Sequence, residues 1–243
     1  LREMMLAGMN VARLNFSHGT HEQHLEKITI IKKLREELDL PIGIMLDTKG
    51  PEYRIRSFEN GKVFLNEGSE FTFTTEEVVG DENQVSVNYK GLAGDLEKGD
   101  IILLNNGLLK FEVTGTDGVR VKTVVIEGGE LSNNKSMSFP TKLLKQSYLS
   151  EQDKSDLLFG IENDVDFVAC SFVSCRQDMV DIKEFLNANG GEELGLIAKI
   201  ENQSGIDNIE DICQECDGIM IGRGDMGVEI PFERLPAIQK TLI

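Results

Sequence analysis

The chain has 243 residues, 40% of them hydrophobic, which is enough to bury a large core in one or two domains. Its 25 basic and 42 acidic residues give a formal net charge of −17. Nucleic acids and anionic membranes attract clustered lysine and arginine, so this charge argues against binding to either. No apolar run reaches the length of about 18 residues that a membrane helix needs. No signal peptide is visible, and we expect a cytoplasmic protein that is a piece of a longer chain.

Residues 1–50 alternate between strand and helix patterns. Residues 11–16 form a short predicted strand, and Thr20 with Gln23 makes a capping box that opens a helix. Pro41 is expected to end this helix, and the apolar run 42–46 is typical of a strand buried on both faces. The apolar positions of the helix are Leu25, Ile28, Ile31, Leu34 and Leu38.

Residues 51–142 change to short strand patterns separated by tight turns such as Glu59-Asn60-Gly61. This segment is predicted to be an inserted all-β domain, a small barrel. The expected strands are residues 62–65, 70–74, 84–87, 101–104, 109–113 and 119–125.

Residues 143–243 return to alternating strands and helices. The helices are predicted at 151–159 (capped by Ser150), 177–188, 206–212 and from Phe232 onward, and the strands at 165–172, 194–200 and 218–222. Five parallel strands cannot close an eight-stranded barrel. The α/β pattern therefore leaves two architectures open, a doubly wound open sheet and an incomplete barrel.

Polar residues gather where the predicted strands end, which is where β/α proteins place their sites. In the first cluster Arg13, Asn15 and Ser17 share one face of a strand, because side chains two apart point the same way. A guanidinium, an amide and a hydroxyl in a column suit an anion beside a small cation. We expect both strand faces to be covered, so that these groups need partners; the alternative is a solvent-facing edge.

A second cluster follows residues 42–46. Asp47 and Thr48 offer hard oxygens to a cation, and Arg54 could bind a polyphosphate through two N–H groups. Gly50-Pro51 is predicted to be a hinge between domains.

The third and fourth clusters follow the next two strands of the array. Lys199 and Glu201 share a strand face, so a phosphoryl-binding cation and a Mg²⁺ ligand project together; a purely structural ion pair is the alternative. Asp225 offers the second carboxylate of a magnesium site, and Gly224 lets a ligand approach the backbone closely.

In this order the four clusters resemble the pyruvate kinase family. The matching segments are NVARLNFSHG (10–19), LDTKGPE (46–52), KIEN (199–202) and GRGD (222–225). The likeness covers essentially the whole chain, and the first two segments are highly specific. It implies an incomplete TIM (β/α)₈ barrel made of residues 1–50 and 143–243, with residues 51–142 as an inserted all-β lid domain. It also implies phosphoryl transfer from phosphoenolpyruvate to ADP in a homotetrameric parent, with this piece inactive alone.

The resemblance also implies a role for individual residues. Arg13, Lys199 and Gly224 would contact substrate, with Arg13 and Lys199 catalytic. The K⁺ ligands would be Asn15, Ser17, Asp47 and Thr48, with Glu52 the residue type that accompanies K⁺ dependence. The Mg²⁺ ligands would be Glu201 and Asp225, and the nucleotide contacts Asn15, His18, Arg54 and Lys135. Ser136 and Thr141 depart from the family, which usually has glycine at both positions.

Two other functions stay open from the residues alone. A Mg²⁺-dependent lyase or aldolase acting on enolates also uses carboxylates at strand ends, although the inserted β domain and the Arg13 column argue against it. A non-catalytic fragment that binds anions weakly is the other. Nucleotide binding would separate the kinase from the lyase.

Overall fold

The computed structural model describes residues 1–140 and 142–243 of a mixed α/β chain; Thr141, one of the two departures above, lies outside the described residues. The strands are β1 (Val11–Asn15), β2 (Gly43–Asp47), β3 (Tyr53–Arg54), β4 (Lys62–Leu65), β5 (Glu70–Thr74), β6 (Gln84–Ser86), β7 (Ile101–Leu104), β8 (Leu109–Thr116), β9 (Arg120–Glu127), β10 (Gly129–Ser132), β11 (Ser136–Ser138), β12 (Phe167–Cys170), β13 (Gly195–Ile200) and β14 (Gly218–Ile221). The α-helices are α1 (Arg2–Leu6), α2 (His21–Leu38), α3 (Leu92–Asp95), α4 (Glu151–Glu162), α5 (Arg176–Ala188), α6 (Gln203–Asp207), α7 (Ile209–Ile212), α8 (Arg223–Glu229) and α9 (Leu235–Leu242), with a 3₁₀ turn at Phe232–Arg234.

The chain divides into two compact units. Unit 1 comprises Leu1–Pro51, Tyr148–Ile200 and Asn208–Ile221, and unit 2 comprises Glu52–Ser147, Glu201–Asp207 and Gly222–Ile243. The predicted division at residues 50 and 142 stays a prediction. Among the described residues, none of the helices combines the length and apolar character that crossing a lipid bilayer requires.

Unit 1 is built on a parallel sheet of order β1-β2-β12-β13-β14, which confirms the five parallel strands expected from the sequence. In its register Asn15 lies opposite Asp47, and Asp47 lies opposite Ala169. The carboxyl ends of β1, β2 and β12 are therefore level, and polar residues that follow them come close together. Ile44 and Leu46 are fully buried beneath this edge.

Helix α2 begins and ends close to the predicted positions, but its buried face differs from the predicted one. Thr20 and Gln23 form the reciprocal capping box. The helix ends at Leu38, before Pro41 as expected, and Asp39 takes the left-handed conformation (φ 52°) at its C-cap. Leu25 of the expected apolar stripe is exposed, and its neighbour His24 is buried instead.

Unit 2 contains a seven-stranded sheet of order β3-β11-β7-β8-β9-β5-β6 and a two-stranded sheet β10-β4. Its core includes Phe71, Phe73 and Phe111, whose rings pack at centroid distances of 5.2–5.8 Å. The predicted strands 62–65, 70–74 and 101–104 have the observed bounds of β4, β5 and β7.

Elsewhere the elements differ from the predicted ones. Strands β3, β10 and β11 and helices α3 and α8 were not expected, and the single helix expected at 206–212 is two short helices, α6 and α7.

Candidate active site

The first cluster lies on β1 and has the predicted alternation but not the predicted cover. Leu14 and Phe16 are buried, whereas Arg13, Asn15 and Ser17 are exposed. The expectation that both faces of this strand are covered is therefore wrong. β1 is an edge strand of its sheet, and its polar side faces solvent, so half of the Arg13 side chain stays accessible to a ligand.

A buried carboxylate brings the predicted residues of unit 1 together. Asp47, at the end of β2, is only 1% exposed. Arg13 Nε donates to its Oδ2 at 2.6 Å, and Lys199 Nζ lies 3.0 Å from its Oδ1. Each carboxylate oxygen thus holds a different cation, one from β1 and one from β13. A buried charge is costly unless it is paired, so this arrangement fixes both cations in place.

Ser171 completes this cluster, and sequence reasoning missed it. Its hydroxyl oxygen lies 2.6 Å from Lys199 Nζ, 3.2 Å from Asp47 Oδ1 and 2.6 Å from the Thr48 carbonyl oxygen, to which it donates. Its backbone N–H donates to Thr48 Oγ1 at 3.1 Å, and Tyr148 Oη donates to its carbonyl oxygen at 2.5 Å. Ser171 directly follows β12, but the strand predicted from the sequence extends to residue 172, so Ser171 is not at a predicted strand end.

Strained backbone surrounds Ser171. Phe172, the next residue, has φ 57°, a left-handed conformation that is unfavourable for a bulky side chain. Gly50 has φ 70°, and a Cβ there would lie 2.5 Å from the Ser171 carbonyl oxygen. The Gly50 N–H also donates to Asp153 Oδ1 at 3.0 Å. The segment after β2 is thus pinned closely against Ser171; its role as a hinge stays a prediction.

A tight turn follows β1 and carries two more of the predicted residues, Ser17 and His18. Asn15 Oδ1 accepts a hydrogen bond from Ser17 N–H at 2.9 Å. The carbonyl oxygen of His18 lies 2.9 Å from His24 Nε2, and the His18 side chain is exposed. The hydroxyl of Ser17 and the imidazole of His18 therefore follow Asn15, the residue that lies opposite Asp47 in the register of β1 and β2.

In unit 2, Arg54 lies beside Lys135. Ser136 of β11 is the antiparallel partner of Arg54 in β3, and Ile55 N–H donates to the Lys135 carbonyl oxygen at 3.0 Å. The Arg54 guanidinium contacts Glu52 and donates to the Asn134 carbonyl oxygen at 2.5 Å. Two of the residues predicted to contact nucleotide are thus neighbours. Ser136, which directly follows Lys135, is the residue that lies opposite Arg54 in the strand pairing.

The two predicted magnesium ligands also belong to unit 2. Glu201 is 4% exposed, and a Cβ at Gly222 would lie 2.6 Å from its Oε1, so the glycine makes room for this carboxylate. Asp225 is exposed in the first turn of α8, and the space beside Gly224 is open. Within residues 1–140 and 142–243, no group of three or more His, Cys, Asp or Glu side chains is arranged to hold a metal.

Comparisons with known proteins agree with the motifs. The family model "Pyruvate kinase, barrel domain" matches residues 1–243. The chain is 46% identical, over its whole length, to a pyruvate kinase of Clostridium perfringens, of which it covers 52%, and to one of Sporosarcina psychrophila, of which it covers 42%. It is 44% identical to a pyruvate kinase of Clostridium acetobutylicum, with 98% of the chain and 50% of the relative aligned. The chain thus spans about half the length of these curated relatives. It belongs to the pyruvate kinase family, through the family's barrel domain.

Proposed function

We propose that the protein carrying this chain transfers the phosphoryl group of phosphoenolpyruvate to ADP, giving pyruvate and ATP. The observation that carries this proposal is the Asp47 cluster, in which one buried carboxylate at the end of β2 pairs with Arg13 of β1 and with Lys199 of β13. The four motifs and the family membership support it. In the reaction the ester P–O bond breaks, an ADP oxygen bonds to phosphorus, and the enolate left behind is protonated to pyruvate.

The chain's own residues position charges and make no covalent bond to the substrate. Phosphoryl transfer spreads negative charge over the oxygens of the transferred group, and fixed cations stabilise that charge. Half-exposed Arg13 is placed to bind the phosphate of phosphoenolpyruvate. Lys199 is enclosed, with 8% of its side chain exposed, and is suited to the group in flight. Gly224 would offer its backbone to the substrate.

The oxygens around Asp47 fit a K⁺ ion by their chemistry. Asn15, Ser17, Asp47 and Thr48 contribute carboxylate, amide and hydroxyl oxygens, which are ligands for hard cations. K⁺, when bound, would add positive charge near the transferred phosphate. Glu52 is the residue type that accompanies K⁺ dependence.

Glu201 and Asp225 fit Mg²⁺, which takes one or two protein carboxylates and leaves other positions to water and substrate. The space that Gly222 leaves for the Glu201 carboxylate supports this assignment. Mg²⁺, when bound, would neutralise phosphate charge. Asn15, His18, Arg54 and Lys135 are the proposed contacts to ADP and ATP, and the adjacency of Arg54 and Lys135 supports the last two.

Three broader features go with this function as part of the proposal. The parallel sheet is proposed to be part of a TIM (β/α)₈ barrel, with residues 51–142 as an inserted all-β lid domain. The full-length parent is proposed to be a cytoplasmic homotetramer.

Nucleotide dependence tests the proposal against the lyase alternative. Phosphorus NMR on the full-length protein should show the phosphoenolpyruvate signal decaying as the ATP γ-phosphate signal grows, with no pyruvate formed when ADP is omitted. Pyruvate formation at the same rate without ADP would contradict the kinase assignment.

A further inference from the structure

His24 is buried in a place where the sequence pattern predicts no inward-facing residue. It lies in the first turn of α2, and only 2% of it is exposed, whereas the apolar neighbour Leu25 is 43% exposed. A histidine is rarely this enclosed without a polar partner. Its contacts therefore indicate what it does.

The polar contact of His24 is with the turn after β1. Its Nε2 lies 2.9 Å from the carbonyl oxygen of His18. A carbonyl oxygen only accepts hydrogen bonds, so Nε2 carries the proton and donates. Nδ1 is then an acceptor in the neutral ring, and it is one of two buried side-chain nitrogen or oxygen atoms in the described residues that have no hydrogen-bond partner. An unpaired buried acceptor lowers the stability of the fold, so we expect another contact of His24 to offset this cost.

The same turn also wraps around the ring. The Phe16 ring stacks on the His24 ring at a centroid distance of 4.0 Å and an angle of 12°. Gly19 has φ 89°, and a Cβ there would lie 3.3 Å from Nε2. Residues 16, 18 and 19 thus all contact one imidazole, through a ring face, a carbonyl oxygen and a close backbone approach.

We propose that His24 is a positioning residue that holds this turn in the shape needed to bind nucleotide and K⁺. The turn carries Ser17 and His18, and the Ser17 N–H donates to Asn15 at the end of β1, so the inference rests on the function proposed above. Arg13 is held separately, by the pairing of β1 with β2 and by Asp47. Loss of the His24 hydrogen bond should therefore weaken the binding of ADP and K⁺ but not that of phosphoenolpyruvate.

Two substitutions in the full-length protein test this split. His24→Phe keeps a ring to stack on Phe16 and removes the donor, whereas His24→Gln keeps an N–H donor on a side chain of similar reach. We expect His24→Phe to raise the KM for ADP and the K⁺ concentration for half-activation about fivefold, the size of one lost hydrogen bond. The KM for phosphoenolpyruvate and the kcat at saturating ADP and K⁺ should stay near wild type. His24→Gln should restore most of the loss.

Hydrogen exchange gives a readout that does not depend on activity. His24→Phe should speed exchange of the Ser17 amide, which is bonded to Asn15 Oδ1, while His24→Gln and the neighbouring control Leu25→Ala should not. Unchanged exchange in His24→Phe, or an equal rise of the KM for both substrates, would overturn the proposal. A wild-type protein that makes no pyruvate, yet shows the exchange pattern, would overturn the proposed function and leave the positioning role standing.

Discussion

At the scale of single residues, Asp47 organises the site. It is almost fully buried, and its two oxygens hold cations from different strands, Arg13 on one side and Lys199 on the other. Removing one partner of a buried ion pair leaves the other charge poorly compensated. Its position at the end of β2 also places it directly after the fully buried residue Leu46.

Lys199→Met in the full-length enzyme should keep substrate binding and lose turnover. The reason is that an enclosed, fixed cation stabilises charge that develops only during transfer, which is worth roughly 10²–10³ in kcat. Steady-state kinetics with phosphoenolpyruvate and ADP measure this. Lys154→Met, which removes a lysine paired with Glu151 on α4, is the matched control and should leave kcat unchanged. Wild-type turnover in Lys199→Met would remove this lysine from the mechanism.

His24 also predicts a pH dependence of stability. Burial lowers its pKa below the ordinary value of 6.5, against the raising effect of the His18 hydrogen bond; Lys27 and His21 lower it further, and Asp156 raises it. The unfolded chain binds a proton at His24 more readily than the folded chain does. The stability that the neutral ring provides is therefore present above pH 6.5 and decreases as the pH falls below about 6.5.

Urea unfolding of wild type and His24→Phe at pH 7.5 and 5.5 checks the sign. The free energy of unfolding of wild type minus that of the variant should be smaller at pH 5.5 than at pH 7.5. If this difference were instead larger at pH 5.5, folding would favour the charged imidazole, contrary to this account.

Sequence reasoning could predict three residues that the structure brings together, because they lie in recognisable motifs at or near the ends of strands. Arg13, Asp47 and Lys199 were predicted and lie together. Ser171 was missed because a lone serine after a strand carries no motif. The cover over Arg13 was mispredicted because exposure of an edge strand depends on its neighbours in space, which periodicity does not encode.

At the scale of elements, caps and apolar runs predicted starts better than ends. Thr20 begins its helix with the expected capping box and Ser150 caps its helix as expected, through a box with Asp153, since capping depends on residues close in sequence. The end of α2 depends on the left-handed conformation of Asp39, a choice that aspartate permits but does not require. Strands β3 and β11 are two and three residues long and are defined by pairing partners far along the chain, so no local pattern marks them.

The connection after β2 should tolerate no side chain at Gly50. Gly50→Ala combines a left-handed conformation with a Cβ 2.5 Å from the Ser171 carbonyl oxygen. Gly190→Ala is the control, because Gly190 has φ 82° and open space around it. The control should cost about 1–2 kcal/mol of stability, and Gly50→Ala about 1–3 kcal/mol more.

Chemical denaturation of both variants measures the difference. Equal destabilisation would show that the segment at Gly50 moves away from Ser171 without cost. Such a result would weaken the argument that Ser171 and the strand-end cluster are held rigidly.

At the scale of the whole molecule, periodicity predicted five parallel strands but could not choose between an open sheet and part of a barrel. Strand number and hydrophobicity are the same in both, and the difference is set by closure, which no local pattern of residues reports. Family membership, shown by the match over residues 1–243, supplies the barrel assignment that the residues alone left open.

Ion dependence of pyruvate formation tests the central claim most directly. The full-length protein carrying this chain would be assayed with phosphoenolpyruvate and ADP in four conditions: Mg²⁺ with K⁺, each ion alone, and neither. We predict substantial turnover only with both ions, because Glu201 and Asp225 are proposed to bind one and the oxygens around Asp47 the other. A folded protein that forms pyruvate equally well without either ion, or forms none with both, would contradict the proposed function.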